Sequence, residues 1–243
     1  MVHAFFDPAQ AAAFDAAASK KDSQFEVRYF ALHGLGNLTR VLLASSGAKF
    51  KFTNVDPEDW PAVKPEAPFG VMPLLKETTS DGKVIQVAES DAIERYLAKR
   101  FGYSGDNLFE ETVINTFVAS DNDIMHRIFI PIQVKDPEQK AEVKERIFTN
   151  DVANWIKNHE LHLKNNGSNG HYVGNKHTLA DFKTAQLIEM ILGMSGQDLI
   201  SEKLTPALFK VKAMVDKIPS LAAWRATDEF KVLAEKNKAR LGY

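Results

Sequence analysis

The chain has 243 residues, of which 44% are hydrophobic and 26% charged, and a formal net charge of −2. That length supports a sizeable core in one large domain or two small ones, and the near-neutral balance without a basic stripe argues against nucleic acid as a partner. The absence of cysteine excludes disulfides, a protein thiolate nucleophile and thiolate metal sites, and no apolar run approaches the roughly 18 residues that a membrane span needs.

Residues 1–24 read as an extension. The stretch is Ala-rich with Asp7 and Asp15 and lacks the basic-then-apolar order of a secretory signal. A cytoplasmic protein is therefore expected, and the sequons at Asn37 and Asn166 carry little weight. Asp7 followed by Pro8 is a helix start, and Ala11 to Ala18 favour that helix before Lys20-Lys21-Asp22-Ser23 breaks it. A loosely packed tail is the expectation.

Phe25 to Phe30 alternates as a strand, with Phe25, Val27 and Tyr29 on one face. His33 to Asn37 is a turn, Leu38 to Ser46 a helix ending at Gly47, and Phe50 to Val55 a second strand. Met72 to Leu75 and Lys83 to Val87 are two more, joined through the Asp81-Gly82 turn. A helix over 91–100 puts Ile93, Tyr96, Leu97 and Phe101 on one stripe. This order is an α/β unit of thioredoxin size. Gly102 to Asn107 is a linker, after which helical periodicity predicts helices over 109–131, 137–163, 178–194, 205–217 and 220–238, with a loop over 164–170. Thr178-x-x-Asp181 is a capping motif that stabilises a helix start.

The stretch from Trp60 to Tyr96 carries features suited to a small flexible peptide with two carboxylates and an amine. Lys64 offers a point charge. Val71-Met72, ahead of Pro73, presents extended backbone for pairing. Ser90 stands where a helix opens, its free N–H groups and positive dipole end suited to a carboxylate. The seven histidines show no metal spacing: His159 and His162 share a helix face without a third ligand.

With Phe25-Glu26-Val27-Arg28-Tyr29-Phe30 upstream and Thr178-Leu179-Ala180-Asp181 downstream, these residues resemble the cytosolic glutathione transferases, most closely the sigma-like class, over roughly residues 25–230. The resemblance implies an α/β plus all-α fold: a thioredoxin-like glutathione-binding domain at 25–104 and a helical-bundle domain at 105–243. It implies a homodimer that takes glutathione as co-substrate, uses no metal, and conjugates it to a small hydrophobic electrophile in detoxification. Tyr29 would hold the glutathione sulfur as thiolate. Trp60 and Lys64 would meet the glycyl carboxylate; Met72, before a cis Pro73, and Val71 would pair with the cysteinyl part. Glu89 and Ser90 would grip the γ-glutamyl end. In relatives of this class the same site also serves as a glutathione-dependent isomerase or peroxidase, and a transferase-like fold can persist as a non-catalytic binding or structural protein.

Three departures from the class pattern stand out. Leu35 occupies the place of an orienting arginine, which lowers affinity unless His33 or Arg40 substitutes. Val71 replaces a glutamine, and the hairpin between Leu75 and Glu89 is longer than usual. Phe30, Phe117, Asp121, Ile124 and Met125 either line the electrophile pocket or belong to the core.

Overall fold

The computed structural model describes residues 11–19 and 22–241; the Asp7-Pro8 helix start and the Lys20-Lys21 break lie outside them. Contacts divide the chain into two compact units. One runs through Phe101 and takes in Pro219–Asn237; the other is Gly102–Ile218 with the residues from Lys238 on.

The first unit is built on a four-stranded sheet, β1 (Gln24–Phe30), β2 (Lys49–Val55), β3 (Leu74–Thr78) and β4 (Val84–Ala88), in the order β2-β1-β3-β4. β1 runs parallel to β2 and antiparallel to β3, and β3 pairs antiparallel with β4. On β1 the predicted face is the buried one: Phe25, Val27 and Tyr29 alternate with more exposed neighbours. Helix α2 (Asn37–Ser46) stops at Gly47, whose φ of 72° closes it in the left-handed region. The Trp60–Val63 turn is α3. α4 (Ser90–Phe101) packs on α2 and against β3 and β4. Beyond the predicted end of the third strand, Glu77 is fully buried, bound by Arg100 at 3.2 Å and by the Tyr96 hydroxyl at 2.6 Å.

The expected loose tail is otherwise. α1 (Ala11–Ser19) buries Ala17 completely and sets Phe14 edge-on to Tyr96, with ring centroids 5.8 Å apart. The expected single helix over 220–238 is two, α10 (Pro219–Arg225) and α11 (Asp228–Leu241). Thr227 breaks it by accepting the Phe230 N–H at 3.3 Å. Trp224 of α10 lies against Phe50 and Phe52 of β2, and Phe230 of α11 against Trp224.

The second unit is helical among the described residues: α5 (Leu108–Gln133), α6 (Pro137–Arg146), α7 (Ala153–Asn165), α8 (Leu179–Ser195) and α9 (Pro206–Asp216). The predicted helix over 137–163 is interrupted by a π-helical turn over Ile147–Val152. α8 is buried along most of its length and packs against α5 and α9. Its start is the predicted capping box, in which Asp181 accepts the Thr178 N–H at 2.7 Å and the Tyr172 N–H at 2.9 Å. Glu160 of α7 reaches the start of α9 and accepts the Ala207 and Leu208 N–H groups at 3.1 and 2.9 Å, placing a carboxylate on a helix's positive end.

Candidate functional site

The sheet register lines up three of the predicted residues. Arg28 pairs with Leu74, and Leu74 with Ala88. Tyr29, Pro73 and Glu89 are each one residue further along, so they stand side by side at one end of the sheet. Beneath them Tyr29, Val55, Ala67, Met72, Leu74 and Ala88 form one apolar cluster, with Trp60, Phe30, Leu32 and Val63 packed against it. Tyr29, Trp60 and Met72, far apart in sequence, thus share a single floor.

Tyr29 is held by the turn that follows its own strand. Its hydroxyl oxygen accepts the Leu35 N–H at 3.0 Å; a phenol is by its chemistry both an acceptor and a donor. A Cβ on Gly34 would come within 2.6 Å of that oxygen, and one on Gly36 within 2.8 Å of ring carbons Cγ and Cδ1. The turn can lie on the ring only because both positions lack a side chain. Gly34 donates its own N–H to Asn237 Oδ1 of α11 at 3.1 Å, so the peptide preceding Leu35 is itself braced.

Of the two candidate replacements for the missing arginine, neither presents an exposed charge, and only Arg40 is charged at all. Arg40 is fully buried, donates to the carbonyls of Leu32 and Phe30 at 2.6 and 3.4 Å, and lies 4.7 Å from the centre of the Phe52 ring. Burial lowers its pKa to about 10, which leaves it positive behind Tyr29, 5.8 Å from that ring's centre. His33 is buried against Phe230, and burial, helped by Arg40 and Arg225, lowers its pKa to about 4, so it is neutral at pH 7.

Trp60 opens α3 and meets Phe30 edge-on at 5.8 Å. Lys64 follows on the surface, among the described residues without an ion-pair partner, its stem running within 3.2 Å of where a Gly70 Cβ would be. Phe69 and Gly70 both have positive φ, 58° and 63°, leading into exposed Val71 and the cis Met72-Pro73 bond. Glu89 has a φ of 68°, sparsely populated for a residue with a side chain, and its carbonyl accepts the Ile93 N–H at 2.9 Å. Glu89 is therefore the residue that caps α4, and Ser90 is the first helical residue rather than the cap. Its N–H belongs to the set a helix start leaves open.

The residues considered for an electrophile pocket divide. Phe30 packs in the cluster at Tyr29. Asp121 is fully buried, accepting from Trp155 Nε1 at 2.9 Å and Thr184 Oγ1 at 2.7 Å, and burial pushes its carboxyl up to about 7. Phe117 lies among His159, His162 and Tyr172, while Ile124 and Met125 are buried. Core packing accounts for Asp121 and Phe117. His159 and His162 are engaged by Tyr172, through its hydroxyl at 2.6 Å and its carbonyl at 3.2 Å. A cleft of about 280 Å³ bordered by Phe25, Lys49, Lys51 and Thr78 opens at the other end of the sheet from Tyr29.

Comparison with known proteins bears on this arrangement. The family profile of the glutathione S-transferase C-terminal domain matches residues 122–228. A probable glutathione S-transferase 7 of Caenorhabditis elegans is 34% identical over 165 residues, spanning 67% of this chain and 77% of the relative. The chain belongs to the glutathione S-transferase family. It is an enzyme of that kind, a glutathione transferase, with a thioredoxin-like unit followed by a helical one. Hematopoietic prostaglandin D synthase of Gallus gallus is 30% identical over 200 residues, 82% of this chain and 94% of the relative. Among solved structures, the sigma class transferase of Fasciola hepatica superposes with a TM-score of 0.73 at 26% identity, over 86% of this chain and all of the other. These relatives carry both transferase and synthase names, and the Fasciola hepatica structure is of the sigma class.

Sequence reasoning did not single out Gly34, Gly36 or Asn237. The Gly-x-Gly spacing directly after the Tyr29 strand was a legible signal for close backbone approach; no local pattern links Asn237 to it.

Proposed function

We propose that this transferase binds glutathione at the sheet end marked by Tyr29, Pro73 and Glu89, and directs its thiolate at small apolar electrophiles. The observation that carries this reading is the Tyr29 hydroxyl, held by the Leu35 N–H at 3.0 Å at the sheet end where register also brings Pro73 and Glu89. A thiol of pKa about 8.5 is only a few per cent ionised at neutral pH, and each unit of lowering reflects about 1.4 kcal/mol of preference for the thiolate. The thiolate is the nucleophile. Tyr29 donating to the sulfur supplies that preference in a chain with no cysteine of its own.

In this reading Ser90 and the open N–H groups of α4 take the γ-glutamyl carboxylate, with Glu89 accepting from the amine. Met72 and Val71 pair through backbone with the cysteinyl residue, ahead of Pro73. The Trp60 indole and Lys64 meet the glycyl carboxylate. The glutathione-binding domain is residues 25–104 and the helical domain 105–243, with Pro219–Asn237 of the latter belonging to the first compact unit, and the working form is a cytoplasmic homodimer.

Calorimetric titration with glutathione, together with the ultraviolet thiolate absorbance followed against pH, tests the assignment. Wild type should bind and ionise the thiol well below pH 8.5; Tyr29→Phe should bind with comparable affinity and an unshifted thiol. Equal ionisation in both proteins would take the role away from Tyr29, and no binding by wild type would leave only the fold.

A second reading keeps the site and changes the reaction. Relatives named prostaglandin D synthase in Gallus gallus and Mus musculus, 30% and 26% identical, favour a glutathione-dependent isomerase. Turnover of a conjugation substrate, an organic hydroperoxide and a lipid endoperoxide, compared at one enzyme concentration, ranks conjugation, peroxidase and isomerase activity. Turnover of none, with glutathione bound, would point to a binding protein.

A further inference from the structure

The loop between α7 and α8 and the first turn of α8 hold a group of side chains that the thiol site does not use. His171, His177 and Asp181 bring one ligand atom each to within 4.8 Å of one another. His171 is 5% exposed and Asp181 fully buried, with His171 Nδ1 3.6 Å from Asp181 Oδ2. The Nδ1 atoms of both His171 and His177 are buried without a hydrogen-bond partner. Buried polar groups are normally paired, so two unpaired imidazole nitrogens beside one carboxylate call for a reason.

The three residues are held by the same piece of backbone. Asp181 is fixed by the Thr178 and Tyr172 N–H groups. His171 is the residue before Tyr172, and His177 the residue before Thr178. The capping box that starts α8 therefore positions both histidines around the carboxylate it uses, and the two rings meet edge to face with centroids 4.9 Å apart.

We propose that His171 Nδ1, His177 Nδ1 and Asp181 Oδ2 bind a divalent transition metal ion of the zinc type. Bonds of about 2.0–2.2 Å in a four-coordinate site set neighbouring ligand atoms roughly 3.4 Å apart. The 3.6 Å between His171 and Asp181 is already near that spacing. The widest separation, at most 4.8 Å, has to close by up to about 1.4 Å to reach it, within the reach of half-buried His177 on its loop. Two imidazoles and one carboxylate suit zinc-like ions, whereas magnesium and calcium take oxygen ligands. Thr178 Oγ1 also donates to Asp181 Oδ2 at 3.0 Å, and this hydroxyl has to turn aside for that oxygen to ligate. Three protein ligands leave a fourth position for water. The ion would tie the loop to the start of the most buried helix of its unit, binding the native state and raising its stability with metal concentration.

The test uses full-length protein without an affinity tag, stripped with a chelator. Zinc is titrated by calorimetry with thermal unfolding in parallel, and cobalt(II) serves as the visible-absorption probe. One equivalent should bind, raise the unfolding temperature and give the intense bands of four-coordinate cobalt. His177→Gln, which leaves the capping box intact, should lose the bands and the stabilisation; His126→Gln, on the exposed side of α5, should keep both. Retention of the bands and the zinc-dependent shift in His177→Gln would overturn the assignment. The wild-type spectrum decides even where that variant folds poorly: wild type without four-coordinate bands at a tenfold excess of cobalt overturns it equally.

Discussion

Gly36→Ala isolates the contact that seats Tyr29. Gly36 has a φ of −80°, so alanine meets no backbone obstacle there, and intrinsic helix preference would favour alanine by up to about 1 kcal/mol. Against this, the added Cβ would lie 2.8 Å from both Cγ and Cδ1 of Tyr29 and 3.2 Å from its Cβ. These atoms are at the root of a side chain fixed to β1 and cannot swing away as a flexible tip could. Overpacking of this kind costs about 1–3 kcal/mol, and sterics should win. Net of the helix preference the loss is up to about 2 kcal/mol, and at roughly 2–4 °C per kcal/mol for a chain of this size the unfolding midpoint should fall by up to about 8 °C. A displaced hydroxyl should also raise the pKa of bound glutathione, each unit meaning about tenfold less thiolate. Calorimetry, thiolate absorbance and a conjugation assay would measure these together, with glutathione affinity nearly unchanged. A double-mutant cycle with Tyr29→Ala sharpens the test, because removing the ring removes the clash. An unfolding midpoint that stays put in Gly36→Ala, or falls equally in both backgrounds, would refute the steric account.

Arg100→Met should destabilise the protein by about 3–5 kcal/mol, because it leaves the fully buried Glu77 carboxylate facing only Tyr96. Urea unfolding measures this, and adding Glu77→Leu should recover most of the loss. Asn237→Leu removes the acceptor of the Gly34 N–H and should cost about 1–3 kcal/mol. It should also slow conjugation more than it weakens glutathione binding, and unchanged kinetics would show that the brace does not reach Tyr29. His33 predicts an acid limb: with a folded pKa of about 4 against an ordinary value of 6.5, the unfolded chain takes up a proton first as pH falls. The stability His33 confers is full above pH 6.5 and is lost toward pH 4, about 2 kcal/mol of it by pH 5. Unfolding free energies of wild type and His33→Gln should therefore converge by about that amount between pH 7 and pH 5.

Alternation on β1 and the apolar stripe of α4 were legible because burial imposes the period directly: Phe25, Val27, Tyr29, Ile93 and Leu97 are all inside. The capping box at Thr178 was equally plain, since its two partners are three residues apart. What escaped depends on partners distant in sequence. The π turn at Ile147–Val152 has no glycine or proline to announce it. Thr227, followed by Asp228 and Glu229, was a readable helix start, masked by apolar periodicity continuing across it. At the site, residue types and spacing marked Trp60, Lys64 and Ser90, but the alignment of Tyr29, Pro73 and Glu89 comes from strand register. The proposed metal-ligand group of His171, His177 and Asp181 straddles a loop, where helical spacing rules do not apply.

The hydrogen bond from Gly34 to Asn237 spans 203 residues of chain. At about 5–20 residues per second, a ribosome takes roughly 10–40 s to cover that distance. From the completion of β4 at Ala88 until Pro219 is made, the nascent chain holds the whole sheet but neither α10 to cover Phe50 and Phe52 nor α11 to steady the glycine turn. The half-made protein therefore carries an uncovered aromatic surface on β2, a natural point of capture for chaperones and for aggregation alike. The Gly34–Asn237 bond that braces the turn at Tyr29 forms only after Asn237 has emerged, so translation that stalls before Pro219 would yield a sheet with that turn unbraced.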